Sequence, residues 1–224
     1  MNAIDEWSRA QERVLDLVQS VPGDRWEATV PACPDWTARN LLSHMIGLNA
    51  DVLAGEEADD HNADWTQKQV DDRQNATVED LAAEWRSLTD PMRTWMAENN
   101  TRPLGDAIIH EQDLRGALGV TGAQDSEGLQ AMRDKLADGL GDAVKDLPPL
   151  ELRGARWTWL SQPEAGTPEV VLSAPDFELI RALMTRRSEA QLRSWTVEGD
   201  IGPYLDHFGT MGSLPDTDLS ETFE

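Results

Sequence analysis

The N-terminal half of this chain is written in a period of three to four. Ile4, Trp7, Ala10, Val14, Leu17 and Val18 fall on one face of a helix, and the spacing returns in Leu41, Leu48 and Val52, then in Val78, Leu81, Trp85, Leu88, Met92 and Trp95. A helix with one apolar stripe has to bury it. Successive helices of this kind, joined mostly by short links, bury their stripes against one another, so the pattern restricts this half to a helical bundle.

Punctuation sets the limits of each helix. The first ends before Pro22-Gly23, and the segment Pro31 to Thr37 cannot be helical through its prolines, but Thr37 is a good N-cap for a second helix running to about Gly55. The acidic, polar stretch 56–76 reads as a long loop able to cover one end of the bundle. Thr77-Val-Glu-Asp80 opens the third helix as a capping-box-like start, with Pro91 expected to kink it. A break at Asn99-Asn100-Thr101 leads to the fourth, with Pro103 in its first turn and Gly119 just past its end. The expected fold is mainly α: an antiparallel, up-down four-helix bundle over 1–122, then a small α+β domain.

Between them, 123–149 reads as a connecting helix (about Ser126 to Val144) and a linker containing Pro148-Pro149. The α+β domain, 150–210, is read from candidate strands at Leu150 to Leu160 and Glu169 to Ser173, a helix near Asp176 to Arg186 and a strand around Ser194 to Glu198. Residues 211–224 read as a flexible acidic tail.

Composition narrows the function classes. With 224 residues and 39% hydrophobic content the chain can build a packed core, but no apolar run approaches a membrane span and the N-terminus lacks a basic flank followed by an apolar stretch. The cytoplasm is the expected location. A formal charge of −23 should repel phosphate backbones and anionic lipid, so neither nucleic acid nor membrane is an expected partner. The single cysteine, Cys33, excludes an intrachain disulfide and a Cys-rich zinc site, leaving His and carboxylates as the metal donors available. No Gly-rich phosphate loop, G-x-S-x-G elbow or His-Glu-x-x-His motif supports a kinase, dehydrogenase, serine hydrolase or metalloprotease.

The fourth helix carries the informative residues. Asp106, His110, Asp113 and Ala117 follow steps of four, three and four and share one face, an oddly polar stripe for a bundle helix. Ionisable groups buried there cost several kcal/mol unless paired or bound to a metal. His44 lies on the stripe of Leu41, Leu48 and Val52 and points into the same space. Two histidines and a carboxylate make a three-ligand set with a coordination position left open, as in catalytic metal sites; Zn²⁺ is the first expectation, and Ni²⁺, Fe²⁺ or Mn²⁺ fit the same ligand types. Asp113 would be either an acceptor orienting His110 or a substitute ligand. The same spacing also suits a buried histidine hydrogen-bonded to an aspartate, with no metal.

The run Val30-Pro-Ala-Cys-Pro-Asp-Trp-Thr-Ala-Arg-Asn-Leu-Leu-Ser-His44 resembles a signature of the DinB-like superfamily branch containing mycothiol-dependent maleylpyruvate isomerase, where a Cys-Pro-Gly-Trp-like turn precedes the helix bearing the first metal histidine. Arg102 to Gly119 resembles the second signature, in which a Glu and a His four residues apart complete the site, and Leu179 to Asp200 resembles the family's small terminal domain. The resemblance implies that His44, Asp106 and His110 occupy the three metal positions, and that mycothiol, as thiol cosubstrate, meets an electrophilic small molecule there in an isomerase or S-transferase reaction. Two departures stand out: Asp106 replaces the Glu, shortening the reach by a methylene, and Asp35 replaces the Gly of the turn. A protein that binds metal and a small thiol without turnover is the alternative, and either a monomer or a homodimer is compatible with the sequence.

Other residues have plainer readings. Arg102, one turn before Asp106, would bind a carboxylate of thiol or substrate, or pair with Asp106. Cys33 reads as a small residue in a turn, Arg186-Arg187 as ion-paired, and the tryptophans as core; His61 and His207 sit in polar loop contexts expected to face solvent.

Overall fold

The computed structural model describes residues 1–58 and 62–221. The chain forms two units, Met1–Ala123 and Gln124–Ser220, with Glu221 grouped with the first. The architecture is mainly α, with one small sheet in the second unit. Among the described residues no helix is long and apolar enough to cross a membrane.

In the first unit, α1 (Ala3–Ser20), α2 (Ala38–Ala54), α4 (Val78–Glu98) and α5 (Pro103–Leu118) form a four-helix bundle in which α1 and α2 each pack on both α4 and α5. Its core comes from the periodic positions: Val14 and Leu17 of α1, Leu41 of α2, Leu81 and Trp85 of α4, joined by Leu114 and Leu118 of α5. Hydrogen bonds fix the helix directions. Arg93 reaches Asp5 and Ser8 while Gln11 reaches the Trp85 carbonyl, so α4 runs antiparallel to α1. Arg39 at the start of α2 holds the Ala76 carbonyl just before α4, so those two run the same way. The order is therefore up, down, down, up rather than simple alternation, because the connection from α2 to α4 is long enough to carry the chain back.

That connection is not only loop. It holds α3 (Ala63–Asp71), capped by Asn62 and laid along α2 instead of across the end of the bundle. α3 lies against the Gly47 face of α2, while Leu42, Met45 and Ile46 join Leu41 in the bundle core and Leu48 is only half-buried. Before α2, a short hairpin of β1 (Thr29–Val30) and β2 (Cys33–Thr37) spans the segment that its prolines keep out of a helix.

The second unit has a four-stranded sheet in the order β4, β3, β5, β6. β3 (Leu150–Arg153) and β4 (Thr158–Leu160) form an antiparallel hairpin where one longer strand is expected, closed by the Gly154 N–H donating to the Trp157 carbonyl. β5 (Val170–Ser173) runs parallel to β3, and β6 (Thr196–Glu198) antiparallel to β5. Helices α6 (Glu127–Ala143), α7 (Asp176–Leu183) and α8 (Glu189–Ser194) complete the unit. The helix expected as a connector, α6, is part of this unit, since Ala137, Leu140 and Val144 enter its core with Leu150, Leu172 and Leu183. Ser188 and Gln191 of the α8 cap hydrogen-bond Asp218 and Leu219 in the acidic C-terminal segment.

Candidate metal centre

Helix α5 supplies a carboxylate and one imidazole. Pro103 opens it where a missing N–H is harmless, and Gly119 closes it at φ +68°, a conformation that favours glycine. The registration between these ends puts Asp106 and His110 one turn apart and Asp113 a further turn along. Across from them, Thr37 and Asn40 close a reciprocal capping box that starts α2 and sets the turn on which His44 stands.

These elements bring His44 Nε2 and His110 Nε2 each to 3.4 Å from the same oxygen, Asp106 Oδ1. All three ligand atoms lie within 4.8 Å of one another. Around a tetrahedral ion with bonds of about 2.1 Å, neighbouring donors stand roughly 3.4 Å apart, so two edges of the set already have the needed length. The shorter side chain of Asp106 therefore reaches both histidines.

The opposite nitrogen of each ring is engaged. His110 Nδ1 lies 3.0 Å from Asp113 Oδ2. His44 Nδ1 lies 2.7 Å from Gln69 Oε1, and Gln69 Nε2 donates to Asp51 Oδ2, also at 2.7 Å. A carboxylate or amide oxygen only accepts, so both Nδ1 atoms carry a proton and, in the neutral rings, both Nε2 lone pairs face Asp106. Three acceptors thus converge with no donor among them, an arrangement that suits a cation or added protons.

The titration behaviour reflects that need. Burial opposes charging of His44, yet the Asp106 carboxylate, aided by Gln69 and Asp51, outweighs it and raises the His44 pKa above its ordinary value. For Asp106, burial pushes upward, but His110 and His44 together outweigh it and hold the carboxyl below the usual range.

Of the residues singled out from sequence, His44, Asp106 and His110 meet, and Asp113 takes the place of the acceptor behind His110. Arg102 lies half exposed at the start of α5 and pairs with Glu57 rather than with Asp106. Cys33 packs against the bundle core, Arg187 pairs with Glu178, and Arg186 donates to the Met184 carbonyl. His207 lies in the short turn of helix Gly202–Phe208, and His61 is outside the described residues.

Three features were not expected. Gln69 and Asp51 back His44; Trp36, instead of serving only the core, sets its ring 5.2 Å from the His44 ring. Next to the site on α5, Glu111 is buried and takes a twin hydrogen bond from Arg13 and a further bond from Arg115. A buried Gln in a polar stretch leaves no periodic trace, and the partners Arg13 and Glu111 are 98 positions apart.

Residues 7–115 match the family model of the mycothiol maleylpyruvate isomerase N-terminal domain, the same likeness that the Val30–His44 and Arg102–Gly119 segments carry. No curated protein and no solved structure matches the chain.

Proposed function

We propose that the chain, whose residues 7–115 match the family model of the mycothiol maleylpyruvate isomerase N-terminal domain, is a mycothiol-dependent metalloenzyme, adding the cofactor thiol to an electrophilic small molecule in an isomerase or S-transferase reaction. The observation that carries the proposal is the convergence of His44 Nε2, His110 Nε2 and Asp106 Oδ1 with both Nδ1 positions already engaged. Such a donor set suits Zn²⁺ first, with Ni²⁺, Fe²⁺ or Mn²⁺ compatible.

A divalent ion held by three protein groups would supply an open coordination position and a field that favours the deprotonated form of a thiol. The chain's own residues set that field. Two neutral imidazoles and a single carboxylate leave one positive charge uncompensated, where a second carboxylate would have cancelled it. Burial of His44 and the Trp36 ring beside it limit water on that side of the centre. Arg102 stands one turn before Asp106 and would receive a carboxylate of the thiol or substrate by releasing its Glu57 partner.

In the isomerase form the thiol adds to a cis double bond, the bond rotates and the thiol leaves; in the transferase form the adduct is the product. The aspartate at position 106, where the family has glutamate, motivates a second reading in which the site binds metal and a small thiol without turnover.

Zinc-loaded protein incubated with mycothiol and a panel of cis-unsaturated acids and other electrophiles distinguishes them. Thiol-dependent turnover that disappears in His110→Ala supports the enzyme. Thiol binding without turnover of any panel member favours the binding protein, and absence of zinc-dependent thiol binding overturns both.

A further inference from the structure

We infer that Asp51, acting through Gln69, holds His44 in the ring orientation and tautomer that present Nε2 as a ligand, so that these two residues are positioning residues for the centre. The inference rests on the metal-centre reading only for its consequence on affinity; the tautomer is a property of the chain alone.

The orientation is set by an acceptor. Asp51 Oδ2 accepts from Gln69 Nε2 at 2.7 Å, and a carboxylate offers no proton in return. The amide group is thereby turned so that its oxygen, not its nitrogen, faces the imidazole at 2.7 Å. An amide oxygen also only accepts, so His44 Nδ1 has to donate, and the lone pair is left on Nε2 toward Asp106. If the amide were reversed, it would donate to Nδ1, the proton would move to Nε2, and the ring would hydrogen-bond Asp106 with no ligand lone pair on that side.

The seat for Gln69 is built into the packing. Gln69 is 2% exposed. A Cβ placed on Gly47 of α2 would lie 2.4 Å from the Gln69 Cβ, so the close approach of α3 to α2 at this level requires glycine. Arg73, one turn after Gln69, donates to the Gln69 carbonyl and to Glu84 of α4, which ties α3 to the bundle. His110 is supported differently, by a carboxylate acting directly from its own helix. The His44 arm relies on a neutral amide that a carboxylate orients from behind, which makes it the arm most open to tuning.

The test uses the full chain with Zn²⁺ as probe, and two readouts: zinc affinity by chelator competition, and the ring-nitrogen chemical shifts of His44 in metal-free protein at a pH where the imidazole is neutral. Gln69→Leu is expected to move the proton from Nδ1 to Nε2 and to weaken zinc by about 10–100-fold. Asp51→Asn, able to donate to a reversed amide, should give a mixture of tautomers and a smaller loss, and should add nothing in the Gln69→Leu background. Gln69→Glu combined with Asp51→Asn restores an acceptor without like charges facing each other, and is expected to bring both readouts back to within about threefold of wild type. An unchanged tautomer and affinity in Gln69→Leu would overturn the inference, as would an Asp51→Asn effect that persists in full without Gln69. A wild type that binds no zinc, yet loses its Nδ1 proton signal in Gln69→Leu, would defeat the metal reading while supporting the positioning role.

Discussion

Two polar clusters share helix α5, and they are built on opposite principles. Glu111 is closed in by arginines: Arg13 grips both carboxylate oxygens, Arg115 reaches back from the next turn, and Glu6 takes a second bond from Arg13. Its charge is neutralised by side chains of the chain itself. Among the described residues Asp106 pairs with the Nε2 atoms of His44 and His110, whose rings, when neutral, carry their protons on the far side. One cluster is complete in counter-charge, and the other, incomplete in it among the described residues, gathers three donor atoms within 4.8 Å of one another. That difference separates a network that holds a bundle together from one whose donor atoms could hold a cation, although both centre on a carboxylate of the same helix.

Breaking the complete cluster should give the largest effect on folding. Glu111→Ala leaves two arginines with no shared carboxylate and is expected to cost about 3–5 kcal/mol in denaturant unfolding. Zinc stoichiometry in the folded fraction should stay as in wild type, since none of the donor atoms is touched. The incomplete cluster should respond the other way, through affinity. Gly47→Ala pushes Gln69 from behind His44 and is expected to weaken zinc by about 10–100-fold, measured by chelator competition, with the Glu111 cluster intact. Asp113→Asn keeps an acceptor behind His110 but removes its charge, and should cost roughly tenfold in the same assay.

The smallest effect lies in the pH dependence. In metal-free protein His44 titrates above its ordinary 6.5, so its contribution to stability is fully present below 6.5 and is lost as pH rises through the raised value. Asp106 titrates below its ordinary 3.8, so its contribution is present above 3.8 and is lost as pH falls through the lowered value. The metal-free centre therefore stabilises the fold most between 3.8 and 6.5. Zinc competes with the His44 proton, so its stabilisation of the melting temperature should grow as pH rises above 6.5, in the range where the metal-free contribution declines. Thermal melts with and without zinc across that range should diverge; parallel curves would show that no proton is displaced.

The sequence made the α5 side of the centre legible and the α3 side not. Asp106, His110 and Asp113 lie within one helix whose ends are marked by Pro103 and Gly119, so local spacing alone puts them together. His44 could be placed because Thr37 marks the start of its helix and its neighbours on the stripe are apolar. Helix α3 is nine residues long and polar, and buries only Gln69 and Val70, so no apolar period announces it and the stretch reads as loop. The β3–β4 hairpin reads as one strand because the Gly154-Ala155-Arg156-Trp157 turn lacks the usual pair of turn residues. What escaped depends on tertiary contact: the closeness of Gly47 to Gln69, and the ion pairs that join α1 to α5.

The converging acceptors around Asp106 are expected to hold a divalent ion. Elemental mass spectrometry on protein purified without chelator or affinity tag, beside a His44→Ala, His110→Ala double variant, tests it most directly. Close to one equivalent of metal is expected in the wild type and none in the variant, with both folded. No metal in the wild type even after Zn²⁺ is added back would contradict it, and the cluster would then be a protonated histidine–aspartate network.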